Sequence, residues 1–348
     1  MNTQTKSHSL LSLFSSLFIA AALIFGGCGG GATEEGTDGG EGNSDVTVAF
    51  VTNMTADFWN IAKAGCRDAE KDLGIKVEFK MPPEKNVVKQ KQIVEDLVSS
   101  GISAIAISPI DADNQIAWLD SIAAKVPLIT HDSDAPGSKR LSYIGMDNYK
   151  AGRMCGELVK QALPEGGAVM LFIAGLEQDN AKHRRQGVID ELLDRPVPES
   201  PDEIEYDEVV KGDKYEILDT LTDQGKPEAA KQKAADSINA YPQMKAMVGL
   251  FEYNPPACFQ ALKQAGKLGQ IKLIGFDENP VTLQGIKDGT VIGTIVQDPY
   301  EYGYQSVKVL KDILSNKEVK GFIDIPPRKI TKENVDEYWA DLKAKKAG

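Results

Sequence analysis

The sequence predicts an α/β protein made of two doubly wound parallel-sheet lobes, and three observations predict it. Residues 271–300, IKLIGFDENPVTLQGIKDGTVIGTIVQDPY, read as strand, helix and strand. The apolar run at 271–275 ends on Phe276 and Asp277, and Pro280 stands where a first helical turn tolerates it. Val281, Leu283 and Ile286 carry the helix, Gly289 stops it, and the strand at 291–296 ends on Gln297. Parallel pairing is the default for such a crossover. The same alternation recurs from Val46 onward, with near-continuous apolar strands of the kind a sheet covered on both faces requires. Finally, 348 residues exceed one core of the usual ~100–200.

In chain order, 46–51 is a near-continuous apolar strand followed by the loop 52–57. Phe58, Ala62, Cys66, Ala69 and Leu73 share one helical face, capped by Gly74, and 75–79 alternates as IKVEF. Val87, Ile93, Val94, Leu97 and Val98 mark a second helix, ended by Gly101; 104–108 is a buried strand stopped by Pro109. Ile116, Leu119 and Ile122 mark a third helix, with strands at 126–130 and 141–144. A second series begins with a helix at 149–163, a strand at 168–173 and a helix at 180–193. A Pro-rich loop at 194–202 leads to a strand at 203–210, a helix at 227–240, a strand at 246–250 and a helix at 255–265. After the unit at 271–296 come a helix at 300–314, a strand at 322–325 and a polar helix at 335–343. Two cores in succession leave a cleft, where small-molecule sites concentrate.

Charge and termini narrow the function. A formal net charge of −12 argues against nucleic acid and against a basic membrane-binding face. Lys6, the apolar run 10–25 and the small residues before Cys28 read as an export signal over 1–27. They resemble a bacterial lipobox, in which cleavage leaves Cys28 as a lipid-modified N-terminus, although Phe25 stands where Leu is usual. An uncleaved anchor helix is the plainer alternative, because the run is near the lower limit for a span. Residues 28–45, rich in Gly and acid, read as a flexible tether. Cys66, Cys155 and Cys258 lie among apolar neighbours and read as buried thiols, with a Cys66–Cys155 bridge left open. Only His131 and His183 remain beyond the signal, too little for a His-rich zinc site, and no metal or other cofactor is expected.

In open parallel sheets ligands sit beyond the carboxyl ends of strands. Asp277 and Gln297 occupy such ends, and the other strand-end loops add aromatics, single carboxylates, amides and Arg184. Carboxylates accept, amides do both, and an Arg fork donates, while aromatic rings suit the C–H faces of a pyranose. The set suits a neutral, hydroxyl-rich ligand better than an anion.

Several motifs, taken in order, resemble the type I periplasmic sugar-binding proteins of ABC importers, the group of ribose-, galactose- and glucose-binding proteins. They are Asp57-Phe58-Trp59, VPLITHDSDAP at 126–136, YIGMDNYKAGR at 143–153, NAKHRRQG at 180–187, EYNPPA at 252–257, GFDENP at 275–280 and TIVQDPYEYGY at 294–304. The likeness covers about Val46 to Ile325 and looks closest to glucose-binding members. It implies two lobes joined by a three-stranded hinge, crossing near Asp147, Gln297 and Ile325. The first lobe would hold 46–147 with 298–325, the second 148–297 with 326–348. It also implies a sugar site of Phe58, Trp59, Asp132, Asp134, Asn180, Arg184, Tyr253, Asn254, Asp277 and Gln297. Ser133 stands where the ribose type has Arg, and Ala56 where it has Asn, which counts against ribose.

Each position has a plainer role beside that one. Phe58 can be core, Asp132 and Asp134 can cap a turn, Asn180 can be an N-cap, and Arg184 can be a surface charge as Lys182 and Arg185 are expected to be. The function implied is a monomeric, lipid-tethered receptor that closes on a monosaccharide, a glucose-like aldose favoured, and presents it to an ABC permease. A receptor feeding a sensor kinase or chemoreceptor shares that chain. A glycoside hydrolase would need Asp132 and Asp277 as a catalytic pair, and a sugar-responsive repressor would need a basic helix-turn-helix before the first strand. The reading here is of a binding protein without catalysis.

Overall fold

The computed structural model describes residues 46–199, 204, 206 and 211–347. The export signal, Cys28 and the acidic tether lie outside the described residues. Apolar strands and amphipathic helices alternate in the order β1 (Thr47–Val51), α1 (Asp57–Leu73), β2 (Lys76–Lys80), α2 (Val87–Ser99), β3 (Ala104–Ile107), α3 (Ala112–Ala123), β4 (Leu128–His131) and β5 (Tyr143–Gly145). Then follow α4 (Asn148–Ala162), β6 (Gly167–Ile173), α5 (Asp179–Leu192), β7 (Tyr215–Thr222), α6 (Pro227–Ala240), β8 (Met244–Gly249), α7 (Asn254–Gln264), β9 (Lys272–Phe276), α8 (Pro280–Lys287) and β10 (Gly293–Val296). The chain closes with α9 (Pro299–Leu314), β11 (Phe322–Asp324), β12 (Arg328–Ile330) and α10 (Val335–Ala347).

The strands form two six-stranded sheets of matching topology, β2-β1-β3-β4-β5-β11 and β7-β6-β8-β9-β10-β12. Every pairing is parallel except the antiparallel β10–β12. The α/β class with two parallel sheets is thus the fold of the chain. Because side chains alternate across a strand, each sheet carries two cores. Val48 and Phe50 of β1 pack with α1 and α9, whereas Ala49 and Val51 pack with α2 and α3. In the second sheet Val169 and Leu171 face α4 and α5, and Met170 and Phe172 face α6, α7 and α10. The chain passes between sheets after β5, after β10 and between β11 and β12.

Helix pairs on equivalent faces approach closely where glycine removes the side chain. A Cβ at Gly152 of α4 would lie 2.1 Å from the Arg184 carbonyl oxygen of α5, and one at Gly303 of α9 would lie 2.1 Å from that of Ala62 in α1. The Gly152 contact fixes the backbone of Arg184.

Two strands differ from expectation, and the cysteines are the buried thiols expected. The strand expected at 203–210 falls mostly outside the described residues, and residues 204 and 206 are not strand. The strand that pairs with β6 is β7, an edge strand whose sequence YEILDTLT mixes buried and half-exposed positions and so lacks an apolar run. β12, only RKI, was not expected and adds the one antiparallel pairing among the described strands. Cys66, Cys155 and Cys258 are buried free thiols, so the Cys66–Cys155 bridge is absent.

Candidate functional site

Two aspartates sit at matching points, each just past a central strand. Asp132 follows β4 with φ 59°, and Asp277 follows β9 with φ 61°, a left-handed conformation that Asp adopts more readily than most residues. In each case a neighbouring strand holds the turn. The Asp132 N–H donates to Ile144 O at 3.0 Å and the Asp277 N–H to Ile295 O at 2.8 Å. Their carbonyls accept from Tyr143 Oη at 2.9 Å and Thr294 Oγ1 at 2.8 Å. The left-handed backbone turns each aspartate out of its strand, and the Asp132 carboxylate reaches α5, which packs on the other sheet.

The two halves meet there. Asp132 Oδ2 accepts from Ser108 Oγ at 2.9 Å, Asn53 Nδ2 at 3.4 Å and, from the other sheet's α5, Asn180 Nδ2 at 3.5 Å. Arg184 Nη2, also on α5, lies 3.9 Å from Asp132 Oδ1. Asp277 Oδ1 accepts from Gln297 Nε2 at 2.9 Å. Arg184 is 1 % exposed and is held by Asn148 Oδ1 at 2.9 Å and Leu250 O at 3.2 Å. Its guanidinium lies over Phe276 at 4.2 Å and Phe251 at 5.1 Å from the ring centroids. A charge this deep persists only with such partners.

Burial sets the electrostatics. It pushes the Asp132 carboxyl above its usual range, with Arg184, Ser108 and Asn180 pulling back. It pushes Asp277 up to about 7, against Arg184 and Gln297, with Asp132 and Glu252 adding to the rise. His131 is held neutral, at about 3, by burial.

The structure brings together Asp132, Asn180, Arg184, Asp277 and Gln297. Trp59 borders that group: its indole N–H donates to Asn53 Oδ1 at 3.2 Å, and its ring packs against Phe50, Phe58 and His131. Phe58 lies in the apolar core with Trp59 and Tyr302. Asp134 is not brought in; it is engaged by Thr130, the Ala135 N–H and Arg140. Tyr253 and Asn254 gather instead on Asp223, at 2.5 and 2.8 Å, while Asn254 Oδ1 accepts from the Phe251 N–H at 3.1 Å. Arg184 is no surface charge.

Sequence reasoning missed Asn53, Ser108, Asn148 and Tyr302. Ser108 directly follows β3 and was available to the strand-end rule, but an apolar run absorbed it. Lys182 is a partly exposed surface charge, as expected. It reaches Asp113 of α3 at 2.6 Å, and beside it Lys85 reaches Glu177 at 3.4 Å and the Ala112 N–H donates to Glu177 O at 3.0 Å. These contacts join elements of both sheets around the site. Among the described residues no cluster of His, Cys, Asp and Glu is arranged to hold a metal, and no helix is long and apolar enough to cross a membrane.

Residues 48–318 match the family model described as Periplasmic binding protein domain. The chain belongs to the periplasmic binding protein family. It is a binding protein, not an enzyme. Among its relatives is the ribose import binding protein RbsB of Bacillus subtilis, 26% identical over 282 residues, which span 79% of this chain and 84% of that protein. A solved carbohydrate transporter solute binding protein from Agrobacterium Radiobacter, in complex with D-arabinose, is 26% identical with a TM-score of 0.76, covering 86% of this chain and 99% of that one. GanP, a glucose-galactose binding protein from Geobacillus stearothermophilus, shares the fold at 23% identity and a TM-score of 0.75, covering 83% of this chain and 98% of that one. In this periplasmic binding protein the two aspartates and Arg184 are therefore set between sheets of the same topology as in solved solute-binding proteins.

Proposed function

We propose that the protein captures a neutral monosaccharide between its two lobes and delivers it to an ABC-type sugar permease. One observation carries this reading. Beside the Asp132 carboxylate, Arg184 Nη2 and Asn180 Oδ1 are buried without a hydrogen-bond partner among the described residues. One is a donor and the other an acceptor. A sugar hydroxyl is both at once, so the hydroxyls of one sugar suit both atoms as well as the carboxylates of Asp132 and Asp277. Two carboxylates against one guanidinium leave acceptors in excess, which disfavours an anion. A wrong epimer leaves a buried polar atom unmatched, which is how such a site discriminates.

Binding energy comes from bonds complete only when both lobes contribute, which is how a ligand shifts a hinge toward closure. The closed face, with 148–297 and 326–348 set against 46–147 and 298–325, is the form a permease distinguishes. The relatives named for ribose, arabinose and glucose-galactose support a monosaccharide. Ser133 and Ala56 count against ribose, the motif likeness to glucose-binding members favours a glucose-like aldose, and the lipobox-like flank supports attachment through a lipidated Cys28. Thermal-shift measurements of the purified protein against aldoses, ketoses, amino acids and nucleosides test the reading. A rise in Tm is expected with one or a few neutral aldoses; a rise confined to amino acids or nucleosides overturns it.

A further inference from the structure

Each buried carboxylate is reached by a carboxamide, and each carboxamide is itself held by an aromatic donor. Trp59 Nε1 donates to Asn53 Oδ1 at 3.2 Å, and Asn53 Nδ2 donates to Asp132 Oδ2 at 3.4 Å. Tyr302 Oη donates to Gln297 Oε1 at 3.1 Å, and Gln297 Nε2 donates to Asp277 Oδ1 at 2.9 Å. The second relay spans the two halves: Tyr302 is on α9, which packs against the first sheet, while Asp277 ends a strand of the second.

A primary amide presents a donor at one end and an acceptor at the other, and the two ends have nearly the same shape. Left alone, the Gln297 amide would follow the state of Asp277, offering N–H to a carboxylate and C=O to a carboxylic acid. The Tyr302 hydroxyl, fully buried, removes that choice by occupying the carbonyl. We propose that Tyr302 is a positioning residue of the binding site, locking the Gln297 amide so that Asp277 is kept as a charged acceptor for sugar hydroxyls. The ligand role given to Asp277 rests on the function proposed above; the lock itself does not.

The surroundings of Asp277 make the lock consequential. Arg184 of α5 favours the carboxylate, whereas burial, Asp132 beyond β4 and Glu252 before α7 oppose it. Cys155 of α4, Tyr302 of α9 and Tyr338 of α10 feel the same charge, and Glu278 follows it in the chain. With the two protonation states of Asp277 so close to balance near neutral pH, the direction of one amide matters.

The test is Tyr302→Phe, which deletes one oxygen and keeps the ring. The Asp277 titration is followed by its side-chain carboxyl carbon resonance in the protein without sugar, and D-glucose affinity by calorimetry. Loss of one buried hydrogen bond is expected to move the midpoint upward by about 0.5–1 pH unit and, by lowering the ionised fraction, to weaken D-glucose binding at pH 7 about two- to fivefold. In a Gln297→Ala background the same change should add no further shift. An unmoved midpoint, or an equal shift without Gln297, overturns the proposal. A moved midpoint with no heat from D-glucose in either protein leaves the lock standing and removes D-glucose as the ligand instead. If Tyr302→Phe does not fold, the unaltered protein decides: Gln297 side-chain amide protons should exchange far more slowly than those of exposed glutamines, and equal rates overturn the lock.

Discussion

Replacing Asp277 by Asn should make the protein more stable while abolishing its binding. An ordinary aspartate ionises at ~3.9, and the folded protein holds Asp277 at about 7. That is a difference of about 3 units, or about 4 kcal/mol at ~1.36 kcal/mol each. The sign follows from proton counting. Between the two values the folded state holds a proton that the unfolded chain has released, so stability falls as pH rises from 4 to 7 and stays lowered above. Asn has the same shape, tolerates the φ of 61° and still accepts from Gln297 through its oxygen, but carries no charge to desolvate. Urea unfolding at pH 8 should show the Asn variant more stable by about 3–4 kcal/mol, and at pH 4 the two proteins within about 1 kcal/mol. Sugar binding should be lost at both values. Equal stability at pH 8, or a less stable variant, would refute the claim that function holds an uncomfortable charge in this cleft.

Other outcomes follow from the same geometry. Lys182→Met should weaken sugar binding about two- to fivefold in low salt, because its pairing with Asp113 is partly exposed; in 1 M salt the difference should vanish. An unchanged affinity in low salt would show that the rim contact does not contribute to closure. Gly152→Ala should cost about 3 kcal/mol in urea unfolding, since its Cβ meets the Arg184 carbonyl, and affinity should drop with it as α5 shifts; a variant as stable as the parent contradicts this. The His131 ring, held at about 3, should show no titration in its NMR shifts between pH 5 and 8.

Strand ends were the most legible part of the site. Asp277 and Gln297 are marked by apolar runs that stop on a polar residue, and the period of those runs also predicted both sheets. Asp132 and Arg184 stood out through motif resemblance, yet Asp134, two residues on, is engaged by Arg140 and its own turn. Local sequence does not distinguish two aspartates whose difference is a partner several residues away in a loop. β7 was missed because an edge strand buried on parts of one face has no apolar run, and helical or loop readings fit YEILDTLT as well. Lys182 is the surface charge that was expected, but its pairing with Asp113 on another element is not something local sequence shows. Asn53 and Tyr302 were invisible for a related reason: their roles are relational, set by which amide faces which acid.

The central claim is that paired lobes present an excess of acceptors to an uncharged sugar. Calorimetric titration of the purified protein with D-glucose and, in parallel, with D-glucuronate measures it most directly, because the two differ by one carboxylate. One saturable site for the neutral sugar and no heat from the acid is the expected result. Binding of the acid as tightly as the neutral sugar, or in its place, would contradict the account.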